Sequence, residues 1–370
     1  MSVFLINVSN IKAGGGIQVS QSICEQLYKF KEHHFIVVLS SFIKDDRITK
    51  GDNLEIFHYN VKHCIRTVFF GRDDFLDGLI QEKRIDAVLT VFGPSIWRPR
   101  VPHLCGFARA QLLLKDPSDE SFSFKKRFLY GIWKWGFKKS SKVFYTENQY
   151  ISNMLPQLLG NVRVFTVSNY YNQVYDNRKQ WKNSVELNFF DGVTALSVSS
   201  HYPHKNFEIL IDVAKYFLNK YPLFNIRFVL TFSESEMPLP DSVRKYFLFV
   251  GKVDVEDCPH LYEQADIMFM PTLMECFTAT YPEAMRMGIP IVTTDLEFAR
   301  GLCGDAACYY SAIDAMAAAE AIYKVANNKE YAQQLILNGK KQLLTYDNYE
   351  QRAEKLIGII EEMGKTKGND

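Results

Sequence analysis

Two glutamates, Glu275 and Glu283, lie eight residues apart and flank Phe277, Thr278 and Ala279, which precede a short predicted helix. Amide N–H groups at the start of a helix have no acceptor within the helix and lie at the positive end of its dipole, so they suit a phosphate. A carboxylate beside such an anion site is expected to accept hydrogen bonds from hydroxyl groups. These residues therefore favour a ligand that combines sugar diols with a diphosphate. The alternative is that Glu275 is a solvated loop residue and Glu283 only occupies a helix start.

The surrounding residues, 266–295, predict the elements that position this chemistry. The apolar run 267–270 is typical of a strand covered on both faces, and Pro271 ends it. Gly288 closes a predicted helix of about two turns, and another apolar strand follows. This is one unit of a parallel α/β sheet, in which ligands bind at the carboxyl ends of the strands.

The pattern Glu-x7-Glu, followed by Gly-x-Pro-Ile-Val, resembles the donor-binding signature of the GT4-type retaining glycosyltransferases with the GT-B fold. The resemblance implies that Glu275 contacts the donor hexose, that Glu283 binds the ribose hydroxyls and that the intervening amides bind the diphosphate. Thr278 stands where the family often has glycine. The donor-binding residues expected between the two glutamates are Cys276, Phe277, Thr278 and Ala279.

A second pattern that could bind a ligand lies near the start of the chain. An apolar strand is predicted over residues 3–8, and it is followed by Gly14, Gly15 and Gly16 and then by a helix. Consecutive glycines allow a bulky anion to approach the backbone closely. The stretch lacks G-x-G-x-x-G and the lysine of a Walker loop, so a simple tight turn is an equal alternative. The resemblance implies that Gly15 and Gly16 close over the donor phosphates.

Lys205 begins a helix after the predicted strand 193–199, where the family has a lysine that clamps the diphosphate. An ammonium at a helix start complements a leaving pyrophosphate. The family often has arginine five residues earlier, and here that position is Ser200. His201 or His204 is a possible substitute for it.

Three further expectations come from the resemblance. Lys252 and Val253 occupy the loop whose main chain reads the nucleotide base. The strand near His103 ends in Gly-Phe-Ala-Arg, so Arg109 is the candidate substrate contact, with a solvated surface role as the alternative. His103 lies earlier in the strand and is expected to belong to the core. The expected catalytic residues are Glu275, Lys205 and Arg109.

A chain of 370 residues exceeds what one hydrophobic core usually holds. We expect an acceptor domain over residues 1–168, a linker over 169–188, a donor domain over 189–345 and a segment over 346–370 whose helix crosses back. The fold class predicted is α/β. The resemblance implies the GT-B fold, with two Rossmann-like, doubly wound parallel-sheet domains facing each other across a cleft.

The seven cysteines form no C-x-x-C pair and no Cys/His spacing typical of zinc. The N-terminus has no cationic leader pattern and predicts a first strand. A cytoplasmic protein is therefore expected, with peripheral association on the inner face of the membrane as a further possibility. No resident metal or cofactor is expected, since the nucleotide-diphosphate sugar, UDP- or GDP-linked, is a substrate.

Charge is unevenly distributed along the chain. Residues 1–180 hold 25 Lys and Arg against 16 Asp and Glu (net +9), whereas residues 181–370 hold 18 against 26 (net −8). The stretch 121–146 has aromatic residues, no acid and seven cations, which suits a helix on anionic lipid as well as a solvated domain helix. Nucleic acid is not an expected partner, because no recognised binding motif occurs. The cations are Lys125, Lys126, Arg127, Lys134, Lys138, Lys139 and Lys142.

Taken together, the residues predict a transferase that moves a hexose-type sugar to a hydroxyl of a glycan or lipid-linked acceptor, in bacterial surface polysaccharide biosynthesis. The resemblance implies that this transferase is retaining and metal-independent. Two alternatives stay open. One is a sugar-nucleotide epimerase on the same fold. The other is a catalytically silent protein that binds a sugar nucleotide.

Overall fold

The computed structural model describes residues 1–62, 64–115, 117 and 124–366. These residues form two compact units, each built around its own sheet. The first unit contains Met1–Leu113, the described residues between 124 and 169, and the C-terminal segment from Asp347. The second unit consists mainly of Tyr170–Tyr346.

A seven-stranded, wholly parallel sheet forms the centre of the first unit. Its strands are short apolar runs, most of them buried on both faces, as expected for a parallel sheet covered by helices. They are β1 (Ser2–Val8), β2 (His33–Leu39), β3 (Leu54–His58), β4 (Ala87–Thr90), β5 (His103–Gly106), β6 (Val143–Thr146) and β7 (Arg163–Thr166). The order β3-β2-β1-β4-β5-β6-β7 winds in both directions from β1, which is a doubly wound topology.

Within the described ranges, five α-helices connect these strands. Some begin at a residue whose side chain caps the helix: Asp73 accepts a hydrogen bond of 3.1 Å from the amide of Leu76, and Asn148 accepts one of 2.9 Å from that of Tyr150. The helices are α1 (Gly15–Cys24), α2 (Ile65–Phe70), α3 (Asp74–Glu82), α4 (Phe124–Ser140) and α5 (Gln149–Leu159).

The second unit has a six-stranded parallel sheet in the order β10-β9-β8-β11-β12-β13. The strands are β8 (Val193–Ser197), β9 (Ile226–Leu230), β10 (Phe247–Phe249), β11 (Ile267–Met270), β12 (Ile291–Thr294) and β13 (Ala307–Tyr310). The helices are α6 (Ile209–Lys220), α7 (Asp241–Arg244), α8 (Cys258–Glu263), α9 (Thr280–Met287), α10 (Glu297–Cys303), α11 (Ala315–Asn327) and α12 (Lys329–Leu343). The winding direction changes between β8 and β11, so the carboxyl ends of these two strands flank the natural ligand crevice of this sheet.

The last helix, α13 (Tyr349–Thr366), packs in the first unit. Its apolar residues Leu356, Ile357 and Ile360 are buried in the core cluster beside β1 and β2. The guanidinium of Arg352 is fully enclosed and donates hydrogen bonds to Asn169 Oδ1 and, at 2.6 Å, to Ser22 Oγ. These contacts tie α13 to both α1 and the end of the segment after β7.

The predicted α/β class and the two doubly wound sheets are confirmed, and so is the strand over 267–270. The sequence did not predict α2 or β13. Both are short and rich in β-branched or aromatic residues, which makes their periodicity ambiguous. None of the described helices combines the length and the apolar character needed to cross a bilayer.

Candidate functional site

The loop that follows β11 is fixed by hydroxyl side chains. Thr293 Oγ1, on β12, donates a hydrogen bond of 2.8 Å to the carbonyl of Met270, and Thr294 Oγ1 donates one of 2.7 Å to the carbonyl of Thr272. Thr272 is fully buried, and its own hydroxyl lies 3.1 Å from Glu275 Oε1. Buried polar groups are stable only when they are hydrogen-bonded, so these contacts fix the position of Glu275.

Glu275 forms an ion pair with Lys205 across two adjacent strands. The distance from Lys205 Nζ to Glu275 Oε1 is 2.5 Å, and the two side chains are only 11% and 13% exposed. Lys205 ends a single helical turn after β8, so the prediction that it begins a helix is wrong: the next helix, α6, begins at Ile209. In that turn, the carbonyl of His204 accepts a hydrogen bond of 2.8 Å from the amide of Leu273. Two charged residues far apart in the sequence therefore meet at the carboxyl ends of β8 and β11.

Lys205 retains capacity for a ligand even while paired. An ammonium has three N–H donors, and the ion pair with Glu275 uses one direction of approach. A partly buried site also strengthens the interaction of this charge with an incoming anion, because water screens it less than at the surface. The pair can therefore bind an anionic group at Lys205 and a hydroxyl donor at Glu275 at the same time.

The backbone amides of Phe277, Thr278 and Ala279 come directly before α9. Within the described part of the chain they donate no backbone hydrogen bond, and the Ala279 carbonyl accepts from the amide of Glu283. The hydroxyls of Thr278 and Thr280 lie 2.8 Å apart, which steadies this turn. The helix ends at Gly288 in the left-handed region (φ 72°), as the sequence predicts. Unpaired amides at a helix start form an anion site when a phosphate is supplied.

Glu283 lies in the first turn of α9 in a different environment. It is 5% exposed, and Tyr262 Oη on α8 donates a hydrogen bond of 3.1 Å to its Oε2. Burial raises the pKa of Glu283 to about 7, and the phenol of Tyr262 opposes this rise by stabilising the carboxylate. The charge of Glu283 in turn adds to the effect of burial in raising the pKa of Tyr262 and Tyr175. At neutral pH both protonation states of Glu283 are therefore accessible.

The other predicted donor residues of the second unit lie farther along the sheet. Lys252 and Val253 follow β10, two strands from β8, which corresponds to about 10 Å at the usual strand spacing. Lys252 is exposed, and Gly251 before it has φ 72°. Cys276 is buried beside Glu275. His201, one candidate for the missing arginine, lies 2.9 Å from Glu208 Oε1, whereas the ring of His204 stacks on Tyr202.

The first unit contains the glycine-rich turn, at the start of α1. Gly14 has φ 71° and ψ −158°, a conformation that essentially only glycine adopts. A Cβ on Gly15 would meet no described atom within 4 Å, whereas one on Gly16 would lie 3.3 Å from Ile11 Cγ2. Packing within the described residues therefore does not require glycine at position 15.

The two candidates near the end of β5 differ in their surroundings. His103 is buried, with Nε2 at 2.8 Å from Thr90 Oγ1 and Nδ1 at 2.9 Å from the carbonyl of Ser140, so it is a core residue. Burial lowers the pKa of His103 to about 4. Arg109 is half-buried, and its guanidinium lies 4.4 Å from the ring centre of Trp133 on α4. This is a cation–π contact.

Two residues of the second-unit site were not anticipated. Thr272 lies two residues beyond the end of the buried strand β11, so its place at the carboxyl end of a strand could have been recognised in the sequence. Tyr262 comes from a separate helix, and no sequence spacing connects it with Glu283. No group of three or more His, Cys, Asp or Glu suited to a metal ion occurs among the residues that the structure describes.

The chain is similar to known glycosyltransferases in sequence and in structure. Residues 179–342, which include Lys205, Glu275 and Glu283, match the family model described as "Glycosyl transferases group 1". No curated protein matches the sequence. The two Rossmann-like units and the structural neighbours define a GT-B fold.

Three solved structures illustrate the similarity. The chain is similar to a sucrose-phosphate synthase from Thermosynechococcus elongatus, with a TM-score of 0.71, 14% identity and coverage of 99% of both chains. It is similar to HepE from Anabaena in complex with UDP and glucose, with a TM-score of 0.66, 14% identity and coverage of 98% of this chain and 100% of that one. It is also similar to WaaG, a glycosyltransferase involved in lipopolysaccharide biosynthesis, with a TM-score of 0.66, 15% identity and coverage of 97% of this chain and 99% of that one.

Proposed function

We propose that this protein is a retaining glycosyltransferase that moves a hexose-type sugar from a UDP- or GDP-linked donor to an acceptor hydroxyl. The observation that carries the proposal is the Lys205–Glu275 pair, with Nζ and Oε1 2.5 Å apart. Glu275 shares its loop with the amides of residues 277–279, which donate no backbone hydrogen bond among the described residues. One ammonium, one carboxylate and a set of free N–H groups match a diphosphate attached to a hydroxyl-rich sugar. The group 1 match over residues 179–342 supports the same assignment.

In the proposed reaction, the bond between the anomeric carbon and the diphosphate oxygen breaks, and its electron pair stays on the diphosphate. The acceptor oxygen forms the new bond on the same face of the sugar, and its proton passes to the leaving phosphate. Lys205 and the amides of residues 277–279 stabilise the charge that develops on the leaving group. Glu275 orients the hexose through its hydroxyls, and Glu283 binds the ribose.

Further assignments are part of the proposal. Cys276, Lys252 and Val253 line the donor site, with the main chain at 252 and 253 reading the base. Gly15, Gly16 and Arg109 of the first unit contribute to substrate binding. The positive charge opposite the diphosphate comes from the protein, so we propose a metal-independent reaction of the GT4 type with no resident cofactor.

We further propose a glycan or lipid-linked acceptor, a cytoplasmic enzyme that associates peripherally with the inner face of the membrane, and a role in bacterial surface polysaccharide biosynthesis. The support is the net charge of +9 over residues 1–180 and the similarity to a protein of lipopolysaccharide biosynthesis. An anionic membrane surface attracts such a basic segment.

The test is incubation of UDP- and GDP-sugars with and without polyprenyl-linked and glycan acceptors, followed by mass spectrometry and by NMR of the anomeric proton. We expect transfer with retention, reduced at least about a hundredfold in kcat by Lys205→Ala, as for the loss of one transition-state donor. Lys215→Ala is the matched control, since Lys215 is exposed on α6 and its ion pair among the described residues is with Asp212.

Two results would contradict the proposal. Conversion of the donor sugar without an acceptor would identify an epimerase. Tight binding of the donor with no transfer to any acceptor would favour a silent binding protein. Equal kcat values for the Lys205→Ala and Lys215→Ala variants would remove Lys205 from the proposed reaction.

A further inference from the structure

Helix α4 in the first unit has two apolar stripes, and one of them faces solvent. Phe137 is fully buried against Phe107, with ring centres 4.7 Å apart, and attaches the helix to the sheet. Phe128, Ile132 and Trp135 follow the spacing i, i+4, i+7 and are 66%, 47% and 38% exposed. Since side chains at this spacing share one face, they form an outer stripe roughly opposite Phe137.

Helix α2 extends this outer stripe, although it is distant in sequence. Ile65, Phe69 and Phe70 are 73%, 62% and 69% exposed. The rings of Phe69 and Trp135 lie 6.3 Å apart between centres, which joins the two helices into one surface. We call this surface, formed by Ile65, Phe69, Phe70, Phe128, Ile132 and Trp135, the α2–α4 surface. An exposed apolar patch across two helices is unusual for a protein that only faces water.

The position of α2 is structurally fixed. Arg98 Nη2 donates hydrogen bonds to the carbonyls of Val68 and Phe69, at 3.3 and 2.5 Å. Gly71 ends the helix with φ 67°, and a Cβ at this position would lie 2.4 Å from the Arg98 side chain. The exposure of Phe69 and Phe70 is therefore built into the first unit by specific contacts.

Cations surround the apolar side chains. Lys125, Arg127, Lys138 and Lys139 on α4 are exposed, and the helix contains no acid. Arg66, the one cation of α2, is paired with Asp74 at 2.7 Å. Large aromatic side chains with lysine and arginine between them are the composition of a helix that lies in the headgroup region of an anionic bilayer.

We infer that the α2–α4 surface is a docking surface for an anionic lipid bilayer, into which its aromatic side chains insert while the flanking cations contact the headgroups. The inference deepens the membrane part of the proposed function. The inference predicts that apolar side chains of α2 and α4 insert together into the bilayer. The positive charge of residues 121–146 alone would predict only electrostatic adsorption to its surface. Vesicle binding tests it without nucleotide or turnover, so its failure is distinguishable from failure of the proposed transferase activity.

The experiment is co-sedimentation of the full chain with phosphatidylcholine vesicles, with and without phosphatidylglycerol, at low and high salt. We expect binding only to the anionic vesicles. The apolar variant Phe69→Ser/Phe128→Ser/Ile132→Ser is expected to bind at least about tenfold more weakly, because interfacial binding scales with buried apolar area. The charge variant Lys125→Gln/Lys138→Gln/Lys139→Gln is expected to bind on the order of a hundredfold more weakly.

Matched controls come from exposed residues of the second unit. Phe189→Ser/Leu223→Ser/Leu344→Ser removes three side chains that are 94%, 95% and 86% exposed. Lys215→Gln/Lys329→Gln/Lys340→Gln removes three exposed lysines. Both controls are expected to bind vesicles like the wild type. Lipids brominated in their acyl chains are expected to quench tryptophan fluorescence in the wild type and less in Trp135→Phe.

Several outcomes would overturn the inference. One is full vesicle binding by the apolar variant, which would reduce the interaction to charge adsorption. Another is a dimer in sedimentation velocity that the apolar variant dissociates, which would make the surface an interface between two copies. Binding to single-stranded oligonucleotides but not to vesicles, lost in the charge variant, would identify nucleic acid as the partner.

Discussion

The turn between β11 and α9 and the turn between β1 and α1 both lead from a buried strand into a helix, but they are built differently. Around Glu275, side chains hold the loop: Thr272 contacts the carboxylate at 3.1 Å and Lys205 pairs with it at 2.5 Å. The other turn consists of Gly14, Gly15 and Gly16, and has no side chains. Substitutions around Glu275 should therefore change both stability and ligand binding, whereas a substitution at Gly15 should change binding with little effect on folding.

Among the predictions that compare the two turns, the largest effect concerns the protonation of Glu283, whose pKa of about 7 results from burial. If the carboxylate binds the ribose hydroxyls, affinity for a nucleotide-diphosphate sugar should rise on the order of tenfold between pH 6 and pH 8, as Glu283 ionises. The diphosphate diester of the donor does not titrate in this range. Calorimetric titration across pH measures the effect, and Glu283→Gln should remove it.

The ionisation of Glu283 should also change the stability of the fold, and here the dependence on pH is opposite to that of donor affinity. Since the pKa of Glu283 is higher in the folded chain than the ordinary value of 4.5, the folded state holds more protons between about pH 4.5 and 7. The free energy of unfolding should therefore fall as pH rises through this window. Burial also raises the pKa of Glu25 and Glu147 to about 7, so these groups contribute to the same pH dependence. The difference in pH slope between the wild type and Glu283→Gln therefore measures the contribution of Glu283. An identical pH slope in both proteins would contradict the assignment.

An intermediate effect is expected for Tyr262→Phe, which removes the hydrogen bond to Glu283 Oε2. Unfolding free energy should drop by about 1 to 2 kcal/mol, and the pKa of Glu283 should rise further, which weakens donor binding at neutral pH. Chemical denaturation and donor titration check both expectations. Tyr310→Phe is the control, because the Tyr310 hydroxyl is buried without a hydrogen-bond partner among the described residues. Equal losses in the two variants would show that the hydroxyl of Tyr262 has no special role.

The smallest effect on stability is expected for Gly15→Ala. Its Cβ would meet nothing described within 4 Å, so unfolding free energy should stay unchanged or rise by up to about 1 kcal/mol. The KM for the donor should nevertheless increase several-fold if phosphates approach this backbone. Gly78→Ala on α3 offers equally open space and should leave KM unchanged. An unchanged KM in Gly15→Ala would remove the glycine turn from the site.

The sequence predicted those parts of the fold that depend on local patterns. The strand over residues 267–270 is bounded by a proline and buried on both faces, so its apolar run is unambiguous. The helix end at Gly288 followed from its need for the left-handed region. In contrast, α2 is six residues long, and its run of aromatic and β-branched residues matches either a helix or a strand.

Some features of the second-unit site could not be read from spacing. The pairing of Lys205 with Glu275 depends on β8 and β11 being neighbours in the sheet, which is a property of topology. The partner of Glu283 is Tyr262 on another helix, and its contact arises only from packing. Similarly, the α2–α4 surface depends on the contact between Phe69 and Trp135, which lie on helices separated by more than fifty residues.

The most direct test of the central claim is thermal unfolding with UDP, GDP and several of their sugars, with wild type, Lys205→Ala and Lys215→Ala measured in parallel. Ligand at about 100 times its dissociation constant stabilises the folded state by roughly 2.7 kcal/mol. We predict a rise in Tm with one nucleotide series, retained in Lys215→Ala and lost in Lys205→Ala. No rise with any nucleotide, or an equal rise in both variants, would contradict a nucleotide-sugar site at Lys205 and Glu275.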